Sequence, residues 1–112
     1  RLVREATSHL EAACQAVGRD PTAIGRSMWL FARPGRPAGD ASVAAEFRRW
    51  HPWFRSLPDA DLGEAILAGP APACRARIAA IRGDLGIDLP VLDLAGLPQP
   101  DAETALADLA AA

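Results

Sequence analysis

The chain has 112 residues, half of them hydrophobic, a length that normally forms one domain around a packed core. Its 12 basic and 14 acidic residues are mixed along the sequence for a formal charge of −2, so no single-sign field points to nucleic acid or an anionic membrane surface. No apolar run nears the roughly 20 residues of a membrane-spanning helix and no signal-peptide pattern is present, so a cytoplasmic protein is expected.

The sequence starts at Arg1, inside an amphipathic pattern with no N-cap before it, which reads as a segment of something longer. Val3, Ala6, Leu10, Ala13 or Cys14, and Val17 follow the spacing of one helix face, and Gly18 stands where a C-cap glycine belongs. A turn is expected at Asp20-Pro21. The apolar run "SMWLFA", Ser27 to Ala32, is too short for a helix and predicts a strand buried on both faces. "RPGRPAGD" excludes regular structure. Asp40 then caps a helix whose stripe is Val43, Phe47 and Trp50, and Pro52 breaks it. After the polar turn "SLPDAD", the stretch "GEAILAG" is open between helix and strand.

Cys74, Ile78, Ile81 and Leu85 recur at helical spacing, with Pro70 and Pro72 at the start, where a missing N–H costs least, and Gly86 at the end. "LPVLDLAG", Leu89 to Gly96, predicts a second buried strand, and a final helix is expected from an Asp101 cap through Ala102, Ala105, Leu106 and Leu109. Cys14 and Cys74 both fall on helix stripes and read as reduced, buried thiols.

Two buried strands joined by a helix are most simply a right-handed parallel βαβ unit, and two strands alone leave faces uncovered and edges unpaired. The expected class is therefore α/β, and the expected architecture the closing part of a larger sheet or barrel, with two parallel strands and about four helices. The excursion over residues 33–68 greatly exceeds the roughly two to six residues of an ordinary connection. It leaves the carboxyl end of the first strand, the face where α/β proteins place their ligands.

"LEAACQAVGRDPTAIGRS", followed later by "ILAGPAPACRARIAAIRGDLGIDLPVLDLAGLP", resembles the C-terminal end of the luciferase-like monooxygenases. Gly18, Arg19, Asp20 and Pro21 match a helix end common in that family. Gly69 matches the glycine that opens a later helix, Arg77 and Ile78 a frequent Arg-Leu pair within it, and Leu85 with Gly86 its end. Pro70, Ala71, Pro72 and Ala73 depart from the cap and acidic residues usual at that helix start. The resemblance implies a (β/α)8 TIM barrel, of which residues 1–112 are a single C-terminal segment. It also implies a flavin- or deazaflavin-dependent oxidoreductase or monooxygenase, with reduced FMN or coenzyme F-420 at the carboxyl end of the barrel. Most cofactor contacts and all catalytic residues are then expected upstream, so none is assigned here, and the segment alone is expected to be inactive.

Within the segment the expectations concern the substrate side. Arg33 follows the first strand directly, where its fork suits a carboxylate, sulfonate or phosphate. His51, with no Asp, Cys or second His near it in sequence, is read as a substrate-contacting or proton-relaying residue and not as a metal ligand. Trp53 and Phe54, after Pro52, are the ligand-facing aromatics, while Phe47 and Trp50 are given to packing. Asp93, in mid-strand, needs a basic partner or a place near the active face, because an unpaired buried carboxylate is costly. Gly96, after the last strand, is the cofactor-phosphate candidate. The expected partners are a small-molecule substrate and, for the complete protein, further copies of itself. A small self-contained α/β interaction module, without catalysis, is the alternative.

Overall fold

A computed structural model describes residues 1–110. Helix α1, Leu2–Val17, ends as expected at Gly18, which takes the left-handed conformation (φ 68°) while the Arg19 N–H closes on the Cys14 carbonyl at 2.9 Å. In the following turn Asp20 accepts both the N–H and the hydroxyl of Thr22, at 2.9 and 2.7 Å. These hydrogen bonds hold its carboxyl below the usual aspartate value.

Strand β1, Ser27–Pro34, carries the chain out of that turn and runs two residues past the predicted stretch. Helix α2, Ala41–Trp50, starts at Asp40, whose carboxylate accepts the Ser42 N–H at 2.8 Å, and a single turn of 3-10 helix, Pro52–Phe54, follows it. The undecided "GEAILAG" divides in two. Helix α3, Asp59–Ala65, passes at Ile66 into a third strand, β2, Ile66–Gly69. Helix α4, Ala71–Leu85, ends on Gly86 as expected, and strand β3 covers Leu89–Asp93. Helix α5, Gln99–Ala110, begins ahead of the expected cap, so that Asp101 lies inside its first turn.

The class is α/β, and the sheet has three parallel strands in the order β2-β1-β3 where two were expected. The predicted strands are neighbours, with Leu30 opposite Leu92 and Phe31 opposite Asp93. The added strand takes the other edge of β1, with Phe31 opposite Ile66 and Ala32 opposite Leu67. Residues 33–68 are thus not one loop: they hold the end of β1, two helices and most of β2.

Alternation along β1 sends side chains into two apolar clusters. Leu30 and Ala32 join Leu67, Cys74, Ile81 and Ile87 on the face covered by α4 and α5. Phe31 joins Val43, Phe47 and Leu62 on the opposite face, beneath α2 and α3. Both cysteines are buried and free, and burial pushes the Cys74 thiol above its usual value. The burial expected along both strands is reached only in part. Leu30 to Arg33 are enclosed, whereas Trp29 is exposed and β3 is half-buried.

Among the described residues, no helix is long and apolar enough to cross a membrane.

Candidate functional site

Three elements meet on the α2 face of the sheet. Phe31 rises from the middle of β1, Asp93 closes β3, and α2 with the 3-10 turn behind it brings Phe47, His51, Trp53 and Phe54 over them. These residues, with Trp29 and Ala65, line a cavity of about 520 Å³. Such a volume is in the range of small-molecule sites, and aromatic walls with few polar groups are their usual chemistry.

The aromatic rings form a continuous wall. Phe47 stands edge-on to Phe31 with centroids 5.5 Å apart and stacks on Phe54 at 5.7 Å. His51 lies among them, 5.0 Å from Phe47 and 5.2 Å from Trp53 between centroids. Pro52 starts the 3-10 turn and thereby separates Trp53 and Phe54 from the α2 stripe. Trp53 is 68 % exposed at the rim, while Phe47 is buried at the base.

The polar part of the cavity is a pair of residues 42 positions apart in sequence. His51 Nε2 and Asp93 Oδ2 are 2.6 Å apart, with side chains only 17 % and 12 % exposed. A carboxylate can only accept, so the proton is assigned to Nε2, which leaves Nδ1 as the acceptor nitrogen. The other Asp93 oxygen accepts the Ala95 N–H at 2.9 Å, so both are occupied. Nδ1 makes no hydrogen bond to a described residue, and it is not among the buried polar atoms left without a partner. The atom is therefore not sealed from solvent, and the His51 ring lines the cavity. The cost of burying Asp93 in a strand foretold a basic partner; which one was fixed only by the fold.

Arg33 is placed otherwise than expected. Its side chain is 2 % exposed, and all three guanidinium nitrogens are engaged. Nε donates to Glu46 at 2.9 Å, Nη1 to the Ala32 carbonyl at 2.8 Å, and Nη2 to the Ala95 carbonyl. The guanidinium also covers the Phe31 ring, 4.0 Å from its centroid. A fork so committed ties β1, α2 and the end of β3 together and has no free edge for a substrate anion. Glu46 also accepts from Arg36 at 3.0 Å, and the two arginines hold its carboxyl below the ordinary glutamate value.

Gly96 has a packing role in this fold. It has φ 86°, and the Trp50 indole nitrogen occupies the space its missing side chain would take. The glycine admits the Trp50 indole. Trp50 packs there as expected of a scaffold residue, though its outer side stays exposed. Of the five expected contacts, the structure brings His51, Trp53 and Phe54 into one cavity and leaves Arg33 and Gly96 outside its lining. Trp29, Phe31, Phe47, Ala65 and Asp93 complete the lining.

Among the described residues no cluster of His, Cys, Asp and Glu could hold a metal ion. No family model matches the chain, and no curated protein or solved structure matches it either.

Proposed function

We propose that the chain is the C-terminal part of a flavin- or deazaflavin-dependent oxidoreductase, a monooxygenase of the luciferase-like class, in which α2, the 3-10 turn and β3 form the substrate-side wall. The observation that carries this reading is the aromatic cavity with its His51–Asp93 pair, built by the segment that leaves the carboxyl end of β1. The parallel neighbours β1 and β3, with α4 leading into β3, are consistent with the last two strands of such a barrel if β2 is an insertion between them.

The lining residues suit a planar ring and do not suit a phosphate, since they include no arginine and no glycine turn, and the chain has no lysine at all. Reduced FMN or coenzyme F-420, when bound, supplies the oxygen or hydride chemistry. This chain's own residues bind and orient a ring, keep water from it, and hold a proton at His51. Phosphate contacts and the groups that act on the cofactor then belong to strands outside residues 1–112.

The test is titration of the protein expressed from its complete gene with FMN and with coenzyme F-420, read by their fluorescence. Binding of one at micromolar concentration is expected, and no binding of either overturns the reading. In the same protein Trp53→Ala should weaken binding of the substrate or ring while leaving the melting temperature nearly unchanged, because an exposed rim residue contributes little to the core.

One observation favours a second reading, a self-contained α/β interaction module. β2 takes the edge of β1 that a preceding barrel strand would pair with, and helices lie on both faces of the sheet, whereas a barrel keeps its helices in one outer ring. If the barrel reading holds, β2 must give up that edge in the complete protein.

A further inference from the structure

The cavity presents few polar groups, the His51 ring and the indole N–H donors of Trp29 and Trp53 besides Asp93, and this narrows what it can bind. Asp93 is engaged at both oxygens, one by His51 and the other by the Ala95 N–H. His51 Nε2 is engaged by Asp93, so in the neutral ring Nδ1 is the acceptor that His51 can offer to a cavity walled by Trp29, Phe31, Phe47, Trp53 and Phe54. A ligand that enters as an anion while His51 is neutral is disfavoured, because the lining carries a carboxylate, and the guanidinium behind Phe31 is committed to Glu46 and two carbonyls. A ligand with only acceptors would leave Nδ1 unpaired. What fits is a flat, uncharged ring carrying one hydroxyl.

We propose that this cavity is a binding site for phenols, in which His51 Nδ1 takes the hydroxyl proton and Asp93 positions the ring of His51. In the step the phenol O–H bond breaks, its electron pair stays on oxygen, and the proton forms an N–H bond at Nδ1. The products are a phenolate and an imidazolium, the latter held against the Asp93 carboxylate. No other reactant is required. Of the elements around His51, β3 contributes Asp93 as the facing charge, while β1, α2 and the 3-10 turn contribute Phe31, Phe47, Trp53 and Phe54. Such a step activates an aromatic ring toward oxidation, since a phenolate is more electron-rich than its phenol. The proposal deepens the oxidoreductase reading by naming the substrate class, but it rests only on the cavity.

The experiment uses the protein expressed from its complete gene and two probes that differ only in the hydroxyl, para-nitrophenol and nitrobenzene, read by quenching of tryptophan fluorescence. The para-nitrophenolate absorbance gives the proton's position. At a pH where para-nitrophenol is mostly protonated in buffer, its binding to the protein should increase the phenolate band, and it should bind about tenfold more tightly than nitrobenzene.

His51→Gln should remove the extra phenolate and that preference while nitrobenzene affinity stays within about twofold. Asp93→Asn should do the same, because an amide can donate to Nε2 and so place the proton on Nδ1, where it blocks acceptance. Circular dichroism and retained nitrobenzene binding separate these effects from unfolding. Equal affinity for the two probes, a phenolate band no stronger than in buffer, or an unchanged band in His51→Gln overturns the proposal. Phenol ionisation without FMN or F-420 binding in the complete protein would leave this site standing and sink the oxidoreductase reading. Cofactor binding without phenol ionisation would do the reverse.

Discussion

Glu46 shows how one side chain can hold a wall in place. It accepts from Arg33 and Arg36 together, and Arg33 is buried, so removing the carboxylate leaves an enclosed cation short of its counter-charge. Glu46 itself is about one-third exposed and solvent screens part of the effect, so Glu46→Gln is expected to cost roughly 1–2 kcal/mol at neutral pH. Its folded-state pKa is lowered by the hydrogen bonds from Arg33 and then Arg36. The contribution is therefore complete above the ordinary glutamate value and is lost as pH falls through the lowered one. Urea unfolding of Glu46→Gln and the parent should differ at pH 7 and converge in acid; a difference that persists in strong acid would contradict this account.

The Glu46 network was not legible beforehand. Arg33 sat at a strand end, where an arginine is free by default, and Glu46 lay on the polar side of a predicted helix. That the two meet depends on the angle at which α2 returns over the sheet, which no local pattern encodes. His51 was legible as an unusual residue among aromatics, and Asp93 as a carboxylate in need of a partner, but not as each other's partner.

At the element scale most boundaries read from caps and breakers are the ones found, the start of α5 ahead of Asp101 being the exception. Gly18 and Gly86 end their helices with positive φ, and Asp40 begins α2. Capping is a short-range interaction between a side chain and a backbone two or three residues away, so sequence suffices to find it. The α2 cap also governs the cavity, since Phe47 and His51 reach the wall only if α2 is formed from its first turn. Asp40→Ala should lower the melting temperature and Asp40→Ser, which restores an acceptor for the Ser42 N–H, should recover most of the loss. Equal melting of the two variants would show that the cap is idle.

β2 was missed because four residues carry too little periodicity to separate a strand end from a helix end. Its start is fixed from afar, by Arg77 on α4, which donates to the carbonyl of Ile66 and, at 2.9 and 2.7 Å, to those of Gly63 and Glu64. A distant guanidinium thus satisfies carbonyls that the last turn of α3 leaves without N–H partners.

For the whole molecule, the question is whether three strands suffice. Both clusters are enclosed, but Leu2, Val17, Trp29 and Leu89 remain exposed, and the outer edges of β2 and β3 are unpaired within the described residues. A chain that completes its sheet elsewhere should, by itself, unfold over a broad range, bind an apolar dye and self-associate. We expect that behaviour in calorimetry and light scattering. A sharp two-state transition from a monodisperse species would instead favour the self-contained module.

The sequence by itself determined the parallel α/β class, the helix ends and the unusual character of residues 46–55, because each rests on chemistry within a few residues. Only the tertiary structure decided that Arg33 is a tie and not a ligand fork, that Gly96 makes room for Trp50, and that His51 meets Asp93. Those outcomes depend on which surfaces face each other once the helices close over the sheet, and contacts across tens of residues follow from packing and not from spacing.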